Sequence, residues 1–264
     1  MIPFTKMQGL GNDYVYLDCT KTQPDDLPTL AVRVSNRHFG VGSDGLICVF
    51  PSDCADFRMR MFNADGSEGE MCGNGIRCVG KFVFDKGLTE KHVLTVETLA
   101  GIKTLTLSVE DGKVTAVTVD MGEPKRSDPI EISVKGKTYT GIPVSMGNPH
   151  LVIFLDEIDD LNLEDIGPHF ETCSYFPNRV NTEFVQVINS DTVRMRVWER
   201  GSGETMACGT GACAVAVAAQ AAGHTGEDVT VKLLGGDLKI RLDGKDGRVY
   251  MTGPAVTVFD GVLL

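Results

Sequence analysis

The sequence repeats one pattern at a distance of 136 residues, and this repeat constrains the fold more than any other feature. In the first copy Cys72 precedes a Gly-Asn-Gly, and in the second copy Cys208 precedes a Gly-Thr-Gly. The same shift superposes residues 58–62 on 194–198, residues 11–12 on 147–148, and Val93 on Val229. Glycine-rich turns and apolar strands also recur by chance, but several aligned segments at a single shift favour a tandem duplication.

The predicted fold therefore has two similar lobes. The 264 residues, of which 42% are hydrophobic, suffice for two cores of ordinary size. We predict an α/β (α+β) fold of two pseudo-symmetric lobes, each a mostly antiparallel sheet wrapped around a central helix. The N-terminal lobe is expected at residues 1–118 and the C-terminal lobe at 119–253. Residues 254–264 have no counterpart in the second copy, so we expect them to return to the first lobe.

Hydrophobic periodicity and turn signals place the elements of both lobes. The helices expected after Cys72, over residues 74–86, and after Cys208 carry apolar or small residues on nearly every face, which indicates a helix enclosed by sheet. Further helices are predicted over residues 27–38 and around 161–170, and Asp111-Gly112 predicts a tight hairpin. Strands are predicted at residues 3–8, 14–18, 45–50, 56–62, 93–99, 103–110, 113–121, 138–146, 151–155, 183–188, 192–199, 229–234, 237–242 and 248–251.

Charge and N-terminal composition exclude several classes of partner. The net charge of -11 repels phosphate backbones, so no nucleic acid partner is expected. Residues 1–17 carry Lys6 and Asp13 among their apolar residues, unlike a signal peptide or a membrane span. We therefore expect a cytoplasmic protein that has no membrane partner.

The sequence predicts neither a metal site nor a cofactor site. It has no Cys-x-x-Cys pair and no closely spaced histidines, which argues against structural zinc. The glycine-rich runs that begin at Gly9 and Gly73 lack the final glycine of the dinucleotide-binding fingerprint. Nothing in the sequence indicates a site for pyridoxal phosphate, so we expect the protein to work without a cofactor.

Two of the eight cysteines are candidates for catalysis. Cys72 and Cys208 each stand where a helix begins, and there the backbone N–H groups and the helix dipole favour a thiolate and can also hold a carboxylate. Cys78 and Cys213 lie inside the two helices and are assigned to packing. Two thiols across one cleft would remove a proton from one face of a carbon and return it to the other. One must then be a thiolate, which requires its pKa to fall by only about one or two units from about 8.5.

Polar residues close to the glycine turns are candidates for assisting the cysteines. Asn12 lies at a turn and suits either a turn or a ligand contact, and the matching Asn148 in the second copy favours the contact. His150 and Glu199 are candidates for setting the pKa values of the two thiols. His150 fits a plain turn residue equally well.

Six motifs together resemble the diaminopimelate epimerase family. They are Gly-Leu-Gly-Asn-Asp (9–13), Phe-Asn-Ala-Asp-Gly-Ser (62–67), Met-Cys-Gly-Asn-Gly-Ile-Arg-Cys (71–78), Gly-Asn-Pro-His (147–150), Glu-Arg-Gly-Ser-Gly-Glu-Thr (199–205) and Ala-Cys-Gly-Thr-Gly (207–211). The resemblance runs from Lys6 to Gly253. It implies cofactor-independent epimerisation of LL-2,6-diaminopimelate to the meso form, in lysine and peptidoglycan biosynthesis, with Cys72 and Cys208 alternating as base and acid. It also implies strongly curved sheets, lobes that close on the substrate, and a homodimer.

The same resemblance implies a set of substrate-binding residues. The carboxylate at the reacting centre would be held by Gly73, Asn74, Gly209 and Thr210, with Asn12 lining the cleft. The distal amino acid end would be bound by Asn63, Asn148, Asn181, Glu199 and Arg200, with Arg200 on its carboxylate and Glu199 near its ammonium group. Gly45 departs from the pattern, because many relatives carry Gln there. Only a backbone contact is expected at this position, which the repeat places opposite Asn181.

Two other functions remain open at the level of the sequence. A racemase or epimerase of the same fold acting on proline, hydroxyproline or histidine would keep both cysteines and change the distal pocket. The presence of Asn63, Asn181, Glu199 and Arg200 argues against it. A non-catalytic binding or redox protein would use the paired thiols as a switchable disulfide.

Overall fold

A computed structural model describes the whole chain, residues 1–264, as four helices and nineteen strands. The helices are α1 (Leu27–Ser35), α2 (Gly73–Asp85), α3 (Leu163–Glu171) and α4 (Gly209–Ala221). The strands are β1 (Ile2–Gly9), β2 (Asn12–Asp18), β3 (Gly45–Phe50), β4 (Phe57–Asn63), β5 (Glu68–Gly69), β6 (Val93–Thr98), β7 (Gly101–Glu110), β8 (Lys113–Gly122), β9 (Lys125–Arg126), β10 (Ile130–Val134), β11 (Lys137–Ser145), β12 (Pro149–Phe154), β13 (Asn181–Asn189), β14 (Thr192–Glu199), β15 (Gly203–Glu204), β16 (Asp228–Leu233), β17 (Gly236–Leu242), β18 (Val249–Pro254) and β19 (Val256–Leu263).

The chain divides into two compact units. Unit 1 comprises residues 1–119 and 253–264, and unit 2 comprises residues 120–252. The chain leaves unit 1 within β8 and returns to it within β18. None of the four helices combines the length and the apolar character that crossing a membrane requires.

Both units follow one order of strand pairing. In unit 1, β2 and β3 are parallel, β3 and β4 antiparallel, β4 and β6 parallel, and β6, β7 and β8 antiparallel. In unit 2, β12, β13, β14, β16, β17 and β18 repeat these pairings in the same sequence. The helices obey the same shift of 136 residues, since α1 corresponds to α3 and α2 to α4 residue for residue. The repeat seen in the sequence is therefore a repeat of structure.

Helix α1 is shorter than the periodicity predicts. It begins as expected, because Asp26 accepts a hydrogen bond from the Thr29 N–H and Pro28 occupies the first turn. It ends at Ser35, whereas the pattern predicts residue 38. Asn36 has extended backbone angles, and its side-chain oxygen accepts from the N–H groups of His38 and Phe39. This local turn competes with the helix and ends it.

The helices α2 and α4 are the centres of their units, as predicted. Helix α2 contacts β1, β2 and β7, and α4 contacts β11, β12, β13, β16 and β17. Residues 211–219 of α4 are all buried, and most of them are Gly, Ala or Val. Their small side chains let strands approach the helix from all sides, which is the arrangement expected of a helix enclosed by sheet.

The last strand of the chain completes the sheet of unit 1. Strand β19 runs antiparallel to β1, from the pair Ile2 and Leu263 to the pair Gln8 and Val256. The hairpin between β7 and β8 has the predicted turn, with positive φ at Asp111 (49°) and Gly112 (72°). The short strands β5, β9, β10 and β15 were not predicted, because two to five residues carry too little periodicity to distinguish a strand from a loop.

Candidate active site

In unit 1, Cys72 caps the N-terminus of the central helix. Its sulfur accepts a hydrogen bond from the Gly75 N–H at 3.3 Å, so the side chain occupies the usual place of a helix-capping oxygen. The thiol also donates to the Asn12 Oδ1 at 3.2 Å. The carbonyl of Gly75 accepts from the Tyr16 hydroxyl at 3.1 Å, which fixes the first turn of α2 against β2. The predicted neighbours Cys72 and Asn12 are thus in contact.

The orientation of Asn12 is set by Asp44, a residue that the sequence did not single out. Asn12 donates from Nδ2 to the Asp44 Oδ2 at 2.7 Å, and the same oxygen accepts from the Asp13 N–H at 3.1 Å. The amide group therefore turns its oxygen towards Cys72. Arg37 bonds both carboxylates, Asp13 and Asp44, at 2.9 Å and completes this network. The sequence feature that could have identified Asp44 is its place directly after Gly42-Ser43 and just before a buried strand.

The first turn of α2 is held from inside by Arg77, which is fully buried. Its guanidinium donates to the Gly73 carbonyl at 3.1 Å and to the Asn74 Oδ1 at 2.9 Å. It also donates to the Pro254 carbonyl at 3.2 Å, just before β19. The Asn74 side chain thus binds Arg77 and helps to fix the helix terminus. The backbone N–H groups of residues 73 and 74 are then the part of this turn that suits a carboxylate.

Gly45 and Asn63 face each other in the β3–β4 register of unit 1. A Cβ added at Gly45 would lie 2.1 Å from the Phe62 carbonyl oxygen and 2.9 Å from the Tyr14 ring, so glycine is needed for this close approach. Asn63 is exposed and donates to the Ser67 Oγ at 3.0 Å. The exposed amide of Asn63 is available to a ligand, whereas Gly45 is buried.

Tyr14 lies close to Cys72 and was also missed by the sequence reasoning. It is buried, and burial followed by the negative charge of a Cys72 thiolate raises the pKa of the phenol well above its usual value. Its hydroxyl therefore stays protonated beside Cys72. An aromatic residue in a strand is so often a core residue that its position in the sequence carried no separate signal.

In unit 2, Cys208 caps the N-terminus of α4 and is buried. Its sulfur lies 3.6 Å from the Thr210 Oγ1, and the same hydroxyl accepts from the Asn148 Nδ2 at 3.3 Å. Asn148 therefore reaches the first turn of α4, and Asn12 reaches Cys72 in unit 1, as their matching places in the repeat predict. The three polar groups of Asn148, Thr210 and Cys208 form one cluster.

The electrostatic setting of Cys208 differs from the expectation for a helix N-terminus. Burial raises the pKa of the Cys208 thiol well above its usual value, and the carboxylates of Glu199 and Glu183 raise it further. The Thr210 hydroxyl and the Gly211 N–H act in the opposite direction and are outweighed. The helix terminus therefore does not lower the pKa of Cys208, which agrees with the expectation that one of the two cysteines is a thiol.

His150 forms a buried pair with Glu183, another residue that the sequence reasoning missed. The imidazole Nδ1 lies 2.6 Å from the Glu183 Oε1, and both side chains are fully buried. Burial raises the pKa of the Glu183 carboxyl, and the neighbouring His150 partly offsets this. His150 lies in β12, so the interpretation as a turn residue is wrong. The signal for Glu183 was a single carboxylate among apolar residues in a predicted strand.

The remaining predicted residues of unit 2 meet where β13 begins and β14 ends. The buried Asn181 accepts from the Arg200 N–H at 2.9 Å, and it lies beside His150 in the β12–β13 register. The Glu199 carboxylate accepts from the Thr205 hydroxyl. The Arg200 side chain is exposed and reaches the Asn178 carbonyl at 3.5 Å. An exposed cation therefore lies next to a half-buried anion, which suits a substrate end that carries both charges.

The chain matches one described family along most of its length. The family model described as "Diaminopimelate epimerase" matches residues 4–127 and 142–258. The chain belongs to the diaminopimelate epimerase family. The resemblance noted in the six sequence motifs is thereby confirmed.

Curated relatives within the diaminopimelate epimerase family match nearly the whole chain. A diaminopimelate epimerase from Methanococcus maripaludis is 54% identical over 271 residues and covers 98% of each chain. Those from Acetivibrio thermocellus and Desulfovibrio desulfuricans are 55% and 56% identical, cover 98% of this chain, and are themselves covered to 97% and 96%.

Solved structures of other proteins share the fold of this diaminopimelate epimerase family member. A phenazine biosynthesis protein of the PhzF family from Bacillus anthracis has a TM-score of 0.77 at 20% identity, covering 100% of this chain and 99% of that chain. A hydroxyproline epimerase from Agrobacterium vitis, with bound trans-4-hydroxy-L-proline, has a TM-score of 0.73 at 15% identity, covering 98% and 90%. The predicted fold class is confirmed.

Proposed function

We propose that this protein interconverts LL-2,6-diaminopimelate and meso-diaminopimelate without a cofactor, with Cys72 and Cys208 as its acid and base. The observation that carries the proposal is that each cysteine is the N-cap of a central helix whose first turn opens with glycine. The named relatives at 54–56% identity support this substrate over proline, hydroxyproline or histidine. The reaction makes the protein an isomerase of lysine and peptidoglycan biosynthesis.

The proposed reaction moves one proton off the α-carbon and another proton onto it. A cysteine thiolate removes the α-proton from one face, and the thiol of the other cysteine delivers its own proton to the opposite face. The negative charge that develops on the α-carbon and its carboxylate would be stabilised by the N–H groups of the helix N-termini. After one turnover the two sulfurs have exchanged protonation states, which suits a reversible reaction.

The substrate contacts follow from the groups at each helix terminus. We assign the α-carboxylate to the backbone N–H groups of Gly73, Asn74, Gly209 and Thr210, with Asn12 beside them. Asn63, Asn148, Asn181, Glu199 and Arg200 are assigned to the distal end, where Arg200 offers a cation and Glu199 an anion. Gly45 is assigned a backbone contact at most. His150 and Glu199 are assigned to setting the protonation of the cysteines.

Proton exchange with solvent tests the two-cysteine reaction. LL-diaminopimelate incubated with the protein in deuterated water should gain deuterium at one α-carbon as the meso form accumulates. The Cys72→Ser and Cys208→Ser variants should each lose at least about 1,000-fold in rate, because a serine hydroxyl is a far weaker acid and a far poorer base at neutral pH. The buried Cys213→Ser variant is the matched control and should keep the wild-type rate per folded molecule. A wild-type rate in either of the first two variants would contradict the proposal.

The same assay separates diaminopimelate from the alternative substrates. Proline, hydroxyproline and histidine lack a second amino acid end, so Arg200 and Glu199 would have no partner and exchange should be undetectable. Exchange with one of these amino acids and none with diaminopimelate would favour the alternative epimerase. We also propose that the protein is a cytoplasmic homodimer that has neither nucleic acid nor membrane as a partner.

A further inference from the structure

The surroundings of the two cysteines differ in one layer of side chains. The shift of 136 residues pairs Gly75 with Gly211, and it pairs Ile47 with Glu183. A Cβ added at Gly75 would lie 2.6 Å from the Ile47 Cδ1. A Cβ added at Gly211 would lie 2.6 Å from the Glu183 Oε1 and 3.3 Å from the Cys208 sulfur. Unit 2 thus places a carboxyl group against its helix turn where unit 1 places a methyl group.

A second pair of matching positions, next to Ile47 and Glu183, also differs between the two units. Tyr14 in unit 1 corresponds to His150 in unit 2, and His150 is the hydrogen-bond partner of Glu183. At 2.6 Å the Nδ1 and Oε1 atoms share one proton, so the imidazole is held with Nδ1 towards the carboxyl. The other two polar atoms of the pair, His150 Nε2 and Glu183 Oε2, are buried and have no hydrogen-bond partner in the structure.

Burying the Glu183 carboxyl group with a single hydrogen bond destabilises the fold. Packing alone does not account for a carboxyl group at this position. Ile47 shows that an aliphatic side chain fills the equivalent place, and replacing a buried ion pair by apolar residues of similar volume is often neutral or stabilising. The carboxyl group must therefore contribute something that a methyl group does not. The carboxyl group lies against Gly211 in the first turn of α4, the helix that begins after Cys208.

We propose that Glu183 is a positioning residue that favours the thiol form of Cys208 in the substrate-free protein and fixes the tautomer of His150. The proposal rests on the proposed function, in which Cys208 alternates between thiol and thiolate. It makes the two catalytic sulfurs chemically unequal, although both cysteines are the N-cap residues of matching helices. Glu183 acts through Cys208 and His150 and does not contact the substrate.

The charged groups that face Cys208 within unit 2 are few, and each has an assigned effect. Glu199 on β14 and Glu183 on β13 both oppose the thiolate, whereas the Thr210 hydroxyl and the Gly211 N–H favour it. His150 on β12 is hydrogen-bonded to Glu183. Replacing Glu183 by Gln keeps the shape and a hydrogen bond to Nδ1, and it removes one negative charge. The thiolate of Cys208 should therefore form at a lower pH.

The test measures the titration of Cys208 directly. The ultraviolet absorbance of thiolates is followed against pH in Cys72→Ser and in the Cys72→Ser/Cys208→Ser double variant, and the difference isolates Cys208. Adding Glu183→Gln to both should move the midpoint down by about one pH unit, a tenfold gain in thiolate at a given pH below the midpoint. Glu171→Gln is the matched control, because Glu171 is a buried carboxylate of unit 2 that bonds Trp198 and Arg179 and does not face Cys208. It should leave the midpoint unchanged.

An unchanged midpoint in folded Glu183→Gln protein would overturn the proposal. If this variant does not fold, His150→Tyr/Glu183→Ile replaces it, since Tyr14 and Ile47 are both buried at the matching positions of unit 1. The same downward shift is expected in the double variant, and its absence there would likewise overturn the proposal. The titration needs no turnover, so a failure of the proposed function shows separately, as a lack of diaminopimelate exchange in the wild-type protein.

Discussion

At the scale of single residues, Gly45 shows how a local contact decides what a position can do. The neighbouring strands bring the Phe62 carbonyl and the Tyr14 ring so close that no side chain fits without a shift of the backbone. A longer side chain such as Gln would need different local packing at this position. The role of this position in substrate binding is therefore restricted by the packing of β3 against β4.

Replacing Gly45 by Ala should destabilise the protein. The added Cβ would lie 2.1 Å from a carbonyl oxygen, and overpacking of this kind costs about 1–3 kcal/mol. The measurement is urea unfolding followed by circular dichroism. Gly226→Ala is the matched control, because a Cβ there meets no atom within 4 Å, and its stability should change by less than about 1 kcal/mol. Equal midpoints for the two variants would contradict the argument.

At the scale of elements, β19 connects the end of the chain to its beginning. Asp260 accepts from the Thr5 hydroxyl at 2.5 Å and pairs with Lys86 at 2.6 Å, which ties the strand to β1 and to the end of α2. Phe259 contacts Phe4 edge to face, with the ring centroids 5.9 Å apart. The strand therefore closes an edge that would otherwise expose unpaired backbone groups.

Deletion of residues 256–264 should lower the melting temperature by about 10 °C or more. The deletion removes the hydrogen bonds of β19 to β1 and uncovers Phe4, and each kcal/mol lost shifts the midpoint by roughly 2–4 °C in a chain of this size. Differential scanning calorimetry gives the shift. Deletion of Leu264 alone is the control, because this residue is 98% exposed and should have no effect. A melting temperature equal to that of the control would show that β19 contributes little to unit 1.

At the scale of the whole molecule, the surface of unit 1 is the place where we expect a second copy to bind. Several large apolar side chains on β19 are exposed, namely Val256, Val258, Phe259 and Val262. Apolar side chains grouped on one strand are typical of a protein interface. The proposed homodimer would bury them.

Sedimentation velocity tests this assembly. The wild-type protein should sediment as a dimer at micromolar concentration, and the Val258→Lys/Val262→Lys variant should sediment as a monomer, because two charges would be buried without partners. Val32→Lys is the control, since Val32 is an exposed apolar residue on α1 and should leave the dimer intact. A wild-type monomer would contradict the dimer itself. An intact dimer in the double variant would instead place the interface elsewhere.

The sequence predicted most of the candidate site because its motifs are local. A cysteine before Gly-x-Gly specifies a helix N-terminus wherever the helix packs, so Cys72 and Cys208 could be assigned from the residues alone. The partners Asp44, Tyr14 and Glu183 could not be assigned, because each acquires its role through a neighbour distant in the chain. Glu183 meets His150 across parallel strands 33 residues apart, and no spacing rule links them.

The sequence by itself determined the duplication, the two central helices, and the position of one thiol at the start of each. These follow from periodicity and from short motifs, which act over a few residues. Only the tertiary structure decided the burial and the nearby carboxylates that raise the pKa of Cys208, the end of α1 at Ser35, and the need for glycine at position 45. Burial, charge and close approach depend on which distant residues become neighbours, and pairing across strands sets those neighbours.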